Sequence, residues 1–252
     1  MWDLIVLNPM INALLFIYDV LGDNFGLAII VLTALIRLIT FPLTYQQQRS
    51  TQKMQELQES KRAKDIQKKH KDDKAKQQEE LLKLYQEAGV NPFSGCLPLL
   101  IQFPVIIGLY QSIIRALADA PIQLFELSTH IYSSIPSGLI PLNSQFLWMD
   151  LSQPERLHIP GIPIGIPVLT ILVVITTYLS TKLTTPPSGD GQGAQMTQMM
   201  SMYMPLLLGY FAYTFAAGLA LYFVTSNLLQ VVQYAATGKV DWRNLLGSGG
   251  SN

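Results

Sequence analysis

Apolar residues in this chain are gathered into long blocks instead of alternating with polar ones, and that constrains the fold more than any other feature. A helix crossing about 30 Å of hydrocarbon needs roughly 20 mainly apolar residues, because only backbone bonded to itself survives there. Four regions qualify: 25–45, 97–117, 164–182 and 199–234. The last is too long for one crossing and carries Gly218 near its middle, so it divides into two spans around a turn at 216–218. The expected class is an all-α integral membrane protein with five transmembrane helices. The division along the chain is an outer interfacial helix (1–22), first span (23–45), cytoplasmic helical hairpin (46–91), second span (92–118), outer loop (119–163), third span (164–182), cytoplasmic loop (183–198), fourth and fifth spans as a hairpin (199–236) and cytoplasmic tail (237–252).

Net charge is zero, but eleven of the 17 Lys and Arg lie between Arg49 and Lys83, in a segment without a long apolar run. Positively charged loops stay in the cytoplasm, so this segment predicts an N-terminus outside and a C-terminus inside, with Lys182, Lys239 and Arg243 agreeing. Arg115, at the outer end of the second span, is an exception. Residues 46–88 are rich in Gln, Glu, Lys and Ala and place Leu81, Leu82 and Tyr85 at helical intervals, which predicts two helices turning near 69–73. So polar a hairpin has little to bury; it is either a mobile element or a solvated spacer. Residues 2–20 mix apolar side chains with Asn8, Asn12 and Asp19 and are interrupted by Pro9. They predict a helix in the outer interface with Trp2 and Tyr18 at headgroup level, a sixth crossing being the alternative.

Arg37 lies inside an otherwise apolar span and cannot lose its charge, which near a helix centre costs about 2.5 to 3.5 kcal/mol. Thr33, Arg37, Thr40 and Thr44 fall at helical intervals and form one polar stripe. Tyr203, Tyr210 and Thr214 make a similar stripe in the fourth span, and Ser226, Gln230 and Gln233 in the fifth, with Asn227 beside them. Thr170, Thr177 and Thr181 do so in the third, while Gln102 and Gln111 fall on opposite faces of the second. No Asp or Glu within the spans is available to Arg37. Two readings follow: a hydrated cavity lined by these stripes, or an arginine that snorkels to the headgroups while the hydroxyls join helices. Met196, Met199, Met200, Met202 and Met204 either pack ordinarily or offer an adaptable apolar surface.

Catalytic signatures are absent. There is no nucleophile elbow, phosphate-cradling Gly loop or metal spacing, and His70, His130 and His158 lie outside the spans. A single cysteine, Cys96, excludes an internal disulfide and suggests no metal site. No enzyme and no cofactor are expected. No Lys or Arg precedes Arg37, so the positively charged start of a secretory signal is not read here.

Four blocks in order resemble the YidC-type membrane protein insertases and their mitochondrial and chloroplast relatives. They are LTALIRLITFPLTYQQQRSTQKMQELQ (32–58), KLYQEAGVNPFSGCLPLLIQFPVIIGLYQ (83–111), FLWMDLSQP (146–154) and MPLLLGYFAYTFAAGLALYFVTSNLLQVVQ (204–233). The resemblance implies five spans around a hydrophilic groove open to the cytoplasm and to lipid but closed outside. It implies that Arg37 is the groove's positive residue and Thr33 its threonine. Thr40, Gln102, Tyr210, Phe223, Ser226 and Gln230 complete the candidate substrate-binding groove. Tyr222 and Phe223 stand where the family often has Tyr-Trp, and Ala216 where many members have Pro. The implied function is insertion of substrate transmembrane segments into the bilayer without nucleotide hydrolysis, alone or with the Sec translocon. Nascent membrane proteins, the lipid bilayer, the ribosome and the Sec translocon are the implied partners, and a bacterial plasma (inner) membrane the location. A channel or transporter with a polar pathway through the same helices is the rival reading.

Overall fold

The computed structural model describes residues 1–70, 73–90, 97–117, 121–132, 135, 142–157, 165–184 and 192–238. Cys96, His158, residues 185–191 and the tail from 239 onward, with Lys239 and Arg243, lie outside them, as do the side chains of Met196, Met199 and Met200.

The longest element is α2, Phe25–Glu59, which begins where Asn24 accepts a hydrogen bond from the Leu27 N–H at 3.0 Å. It passes the expected boundary between first span and hairpin at 45/46 without a break. Nothing in YQQQRSTQKMQELQ stops a helix; only Ser60 does, with extended backbone, its hydroxyl capping the next helix at the Ala63 N–H. That helix, α3 (Lys61–Lys69), pairs with α4 (Lys74–Glu87), whose N-cap is Asp73. The hairpin buries only Ala63, Leu84 and Tyr85 well. Polar ties do the rest: Gln77 donates to the Gln67 carbonyl, His70 faces Glu80 at 3.2 Å, and Arg62 faces Glu87 at 3.7 Å. Their mutual hydrogen bond holds Glu79 below the usual carboxylate range and Lys83 above the usual amine one.

Upstream, a π-helical turn Asp3–Leu7 runs into α1 (Asn8–Val20). The chain reverses through Gly22 and Asp23, both at positive φ (67° and 63°), before α2 begins. α1 packs against α5 (Leu97–Ala116). Trp2 Nε1 donates to Gln111 at 2.8 Å, and Val6 and Met10 lie over Gly108. Beyond α5, the short α6 (Pro121–His130) is tied to α1: Asn12 donates to the His130 carbonyl at 2.8 Å and accepts from the Tyr132 N–H at 2.7 Å. Arg115 finds partners here in His130 (3.0 Å) and Asp3 (3.8 Å). Tyr18 is not at an exposed interface but buried, edge-on to Phe25, its hydroxyl accepting from the Asn143 N–H. A polar tip needs one partner, and a loop amide supplies it as well as a headgroup would.

The segment 142–157 carries a two-stranded antiparallel ribbon, β1 (Gln145–Phe146) and β2 (Met149–Asp150). It lies across the starts of three helices. The carbonyls of Gln153 and Leu151 accept from the Ala217 and Gly218 N–H groups at 2.8 and 3.0 Å, meeting the first amides of α9 (Ala217–Ala236). Glu155, buried, accepts from the Leu169 N–H at the start of α7 (Val168–Thr184) and from Trp148 Nε1, each at 3.0 Å. Burial pushes the Asp150 carboxyl up, but hydrogen bonds from Ser152 and Ser144 outweigh it and hold Asp150 below the ordinary range. Phe146 packs against Gly26, where a Cβ would collide with the ring.

The remaining helix, α8 (Gln192–Thr214), breaks at 215–216 before α9, slightly ahead of the expected turn at 216–218, so that Gly218 falls inside α9. α7 packs against both α8 and α9, and α9 in turn against α2 and α5. Prolines 42, 104 and 205 sit inside α2, α5 and α8, each removing one ladder donor without ending its helix. The tightest core lies at the end carrying 142–157: Phe25, Ala28, Ile29, Leu109, Ile113, Ala217 and Ala220 are buried almost completely. Gly218 lets Ile29 and Ile113 close over α9. Among the described residues, Asp3–Val20 and Phe25–Glu59 are long and apolar enough to cross a membrane, with Val168–Thr184 apolar but shorter. Large apolar side chains face outward in a belt, among them Leu38, Ile39, Ile175, Leu206 and Val232.

Gly26→Ala should overpack this end and lower stability by about 1–3 kcal/mol, read as a lower thermal-unfolding midpoint in detergent. Adding Phe146→Ala should recover part of the loss, because the two changes share one contact.

Candidate functional site

Arg37 projects from α2 towards α9. Its Nη2 donates to Ser226 Oγ at 2.6 Å and to Gln230 Oε1 at 3.4 Å, and its Nε reaches the same serine at 3.2 Å. One turn further along α9, Gln233 Nε2 donates to the Arg37 carbonyl at 3.2 Å. The stripes of two helices therefore meet face to face, and the guanidinium, half-buried, is held by neutral oxygens. Guanidinium nitrogens carry five donors in all, so this clasp leaves some of them for solvent or ligand.

Around it lies a cavity of about 310 Å³, room for about ten waters at roughly 30 Å³ each. Thr33, Arg37, Thr40, Thr44, Gln47, Gln48 and Thr51 line one wall, a stripe about 27 Å long at 1.5 Å per residue. The facing wall is Tyr222, Phe223, Ser226, Asn227, Gln230, Gln233 and Tyr234 of α9. α7 supplies Thr177, Ser180 and Thr181, α5 supplies Gln102, Val105 and Ile106, and α8 supplies Met204 and Leu208. Among the described residues no Asp or Glu lines it.

Local chemistry explains the polar lining. The hydroxyls of Thr33, Thr40 and Thr181 donate back to carbonyls of their own helices at 2.6 to 2.8 Å, so each satisfies its proton and leaves lone pairs free. Asn227 donates to Thr177 at 2.8 Å, joining α9 to α7. Gln102 donates to the Tyr222 hydroxyl, while Gln111, on the opposite face of α5, takes Trp2 instead. Towards the end carrying 142–157 the lining stops at Thr33 and Tyr222, and the packed core of Ile29, Leu109, Ile113 and Ala220 begins.

Seven of the sequence-predicted residues come together here: Thr33, Arg37, Thr40, Gln102, Phe223, Ser226 and Gln230. Tyr210 does not. It is 63% exposed on a face of α8 away from the cavity, as is Tyr203, and Thr214 spends its hydroxyl on the Tyr210 carbonyl. A tyrosine stripe is amphipathic, so its period marks a face without saying which face is wet. Gln47, Gln48, Thr51, Ser180 and Tyr234 escaped the sequence reading. The signal for the first three was present, since 33, 37, 40, 44, 47/48 and 51 continue one helical stripe past the assumed end of the span.

Long apolar helices with exposed apolar side chains and a polar cavity between them define a helical membrane protein. Comparison with known proteins gives the family. The family described as 60Kd inner membrane protein matches residues 16–241, and the chain belongs to it. It is 34% identical over 234 residues to membrane protein insertase MisCA of Bacillus subtilis, covering 92% of this chain and 77% of that protein. It is 38% identical to membrane protein insertase YidC of Clostridium perfringens, covering 84% and 77% respectively. A solved structure of an active YidC insertase, with its first transmembrane domain resolved, superposes with a TM-score of 0.55 at 33% identity. That match covers 86% of this chain and 42% of that one.

With Cys96 replaced by Ser, a cysteine at position 37 should react with a membrane-impermeant thiol reagent from the hairpin side only. A cysteine at Leu38, 67% exposed on the opposite face, should stay unreactive in a bilayer. Labelling of position 37 from both sides, or from neither, contradicts a one-sided wet groove.

Proposed function

We propose that this protein inserts transmembrane segments of other membrane proteins into the bilayer through the groove around Arg37. The observation that carries the reading is a guanidinium held inside an apolar helix by Ser226 and Gln230, with no anion among the lining residues. A structural arginine would be neutralised by a partner carboxylate; one left open to the cavity is available to a carboxylate that arrives. Insertase relatives at 34 to 38% identity support the same activity.

In this reading α2, α5, α7, α8 and α9 are the five spans. The basic α3–α4 hairpin lies in the cytoplasm and segment 142–157 outside. α1 lies in the outer interface. A substrate's polar flank enters the groove from the cytoplasm while its apolar segment partitions sideways into lipid. Arg37 attracts acidic residues in the flank. Each Leu, Ile, Phe or Val favours insertion by roughly 0.3 to 0.6 kcal/mol, so about ten offset one carboxylate at about 2.5 to 3.5 kcal/mol. A membrane potential positive outside adds about 2.3 kcal/mol per negative charge per 100 mV. No nucleotide or cofactor is required. The hairpin, net basic, receives the nascent chain or meets the ribosome, and the Sec translocon is a further partner. The membrane is the bacterial plasma membrane. A channel would need its polar lining to continue past Thr33, where packed apolar side chains begin instead.

Arg37→Ala and Arg37→Glu should impair insertion of short single-span substrates with acidic leading flanks into reconstituted vesicles, while the variants themselves still fold. Arg37→Lys should keep much of the activity, since a point charge suffices. Normal insertion by both Ala and Glu variants counts against the reading.

A further inference from the structure

The groove's polar lining runs along α2 from Thr33 to Thr51. A flank that passes along it as extended chain brings backbone N–H and C=O groups that need partners. Most carboxamides in the groove are already engaged: Gln102 with Tyr222, Gln230 with Arg37, and Gln233 with the Arg37 carbonyl.

Gln47 and Gln48 each keep an unpaired amide atom, although the Gln48 side chain also hydrogen-bonds the Tyr234 hydroxyl. They are only 5% and 8% exposed, both line the cavity near its hairpin end, and Gln47 Nε2 and Gln48 Oε1 lack any hydrogen-bond partner. A buried donor and a buried acceptor on consecutive residues match the C=O and N–H of a peptide backbone. Both groups are neutral and among the described residues no lysine or second arginine lines the cavity, which suits an amide better than a lipid phosphate.

We propose that Gln47 and Gln48 form a backbone-reading site that holds an extended stretch of the entering flank, whatever its side chains. The site rests on the insertase reading above and adds to it a contact independent of charge. Arg37 selects acidic flanks; the glutamine pair grips any flank, and its unpaired amide atoms gain partners when a chain is present.

The test uses the full-length protein in vesicles with single-span substrates whose flanks are either acidic or neutral. Gln47→Leu/Gln48→Leu should slow insertion of both by a similar factor, roughly three- to tenfold, whereas Arg37→Ala should slow only the acidic one. A second measurement leaves Gln47 and Gln48 in place and alters the substrate. A photo-crosslinker at position 51 locates the flank residues that pass the pair, and replacing the backbone N–H there by an ester or N-methyl group should slow insertion by a similar factor. Insertion that is indifferent to these backbone changes overturns the proposal, as does a Gln47→Leu/Gln48→Leu defect confined to acidic flanks. Either result with the Arg37 effect intact removes the glutamine site and leaves the insertase reading standing; loss of the Arg37 effect removes that reading instead.

Discussion

The contact between Arg37 and the Ser226–Gln230 face of α9 is the constraint on which the rest of the architecture turns. A guanidinium cannot neutralise itself by shedding a proton, so an apolar helix that carries one must meet oxygen atoms. Here they come from a helix almost two hundred residues away, and the meeting fixes the rotation of both helices about their axes. Once that is set, the threonines of α2 and the carboxamides of α9 face each other by helical period alone. The remaining faces of these helices are apolar by the same arithmetic.

Closure at one end follows from different chemistry. Small residues and glycines, Gly26, Ala28, Ala217 and Gly218 among them, let α2, α5 and α9 approach closely, and Ile29, Ile113 and Phe146 fill what is left. Backbone carbonyls of 151–153 and the Glu155 carboxylate then meet the first amides of α9 and α7. Polar groups at this end are consumed in structural bonds. At the other end the threonines and carboxamides of α2 and α9 face the cavity.

Much of this was legible in the sequence. The apolar blocks marked α2, α5, α7 and the α8–α9 pair, because twenty-residue runs leave little choice of structure. Arg37, Thr33, Thr40, Ser226 and Gln230 were legible because a charge in an apolar helix and hydroxyls at i, i+3 and i+4 have few alternative explanations. Tyr210 was misplaced since amphipathic side chains face either medium. Gln47 and Gln48 were overlooked because the span was taken to end where apolar residues end, whereas a helix ends only at a stop signal, and the first is Ser60. The burial of Tyr18 depended on a loop 125 residues downstream, which no local pattern records.

The unbroken course of α2 has a mechanical consequence. Thirty-five residues make a rod of about 52 Å, with the arginine about a third of the way along and the two-helix arm hung from its far tip at Ser60. Pro42, lying between Arg37 and Gln47, omits one rung of the hydrogen-bond ladder and gives the rod a compliant joint. Any change of bend at that rung would alter how far apart Arg37 and Gln47 stand, since they lie on either side of it.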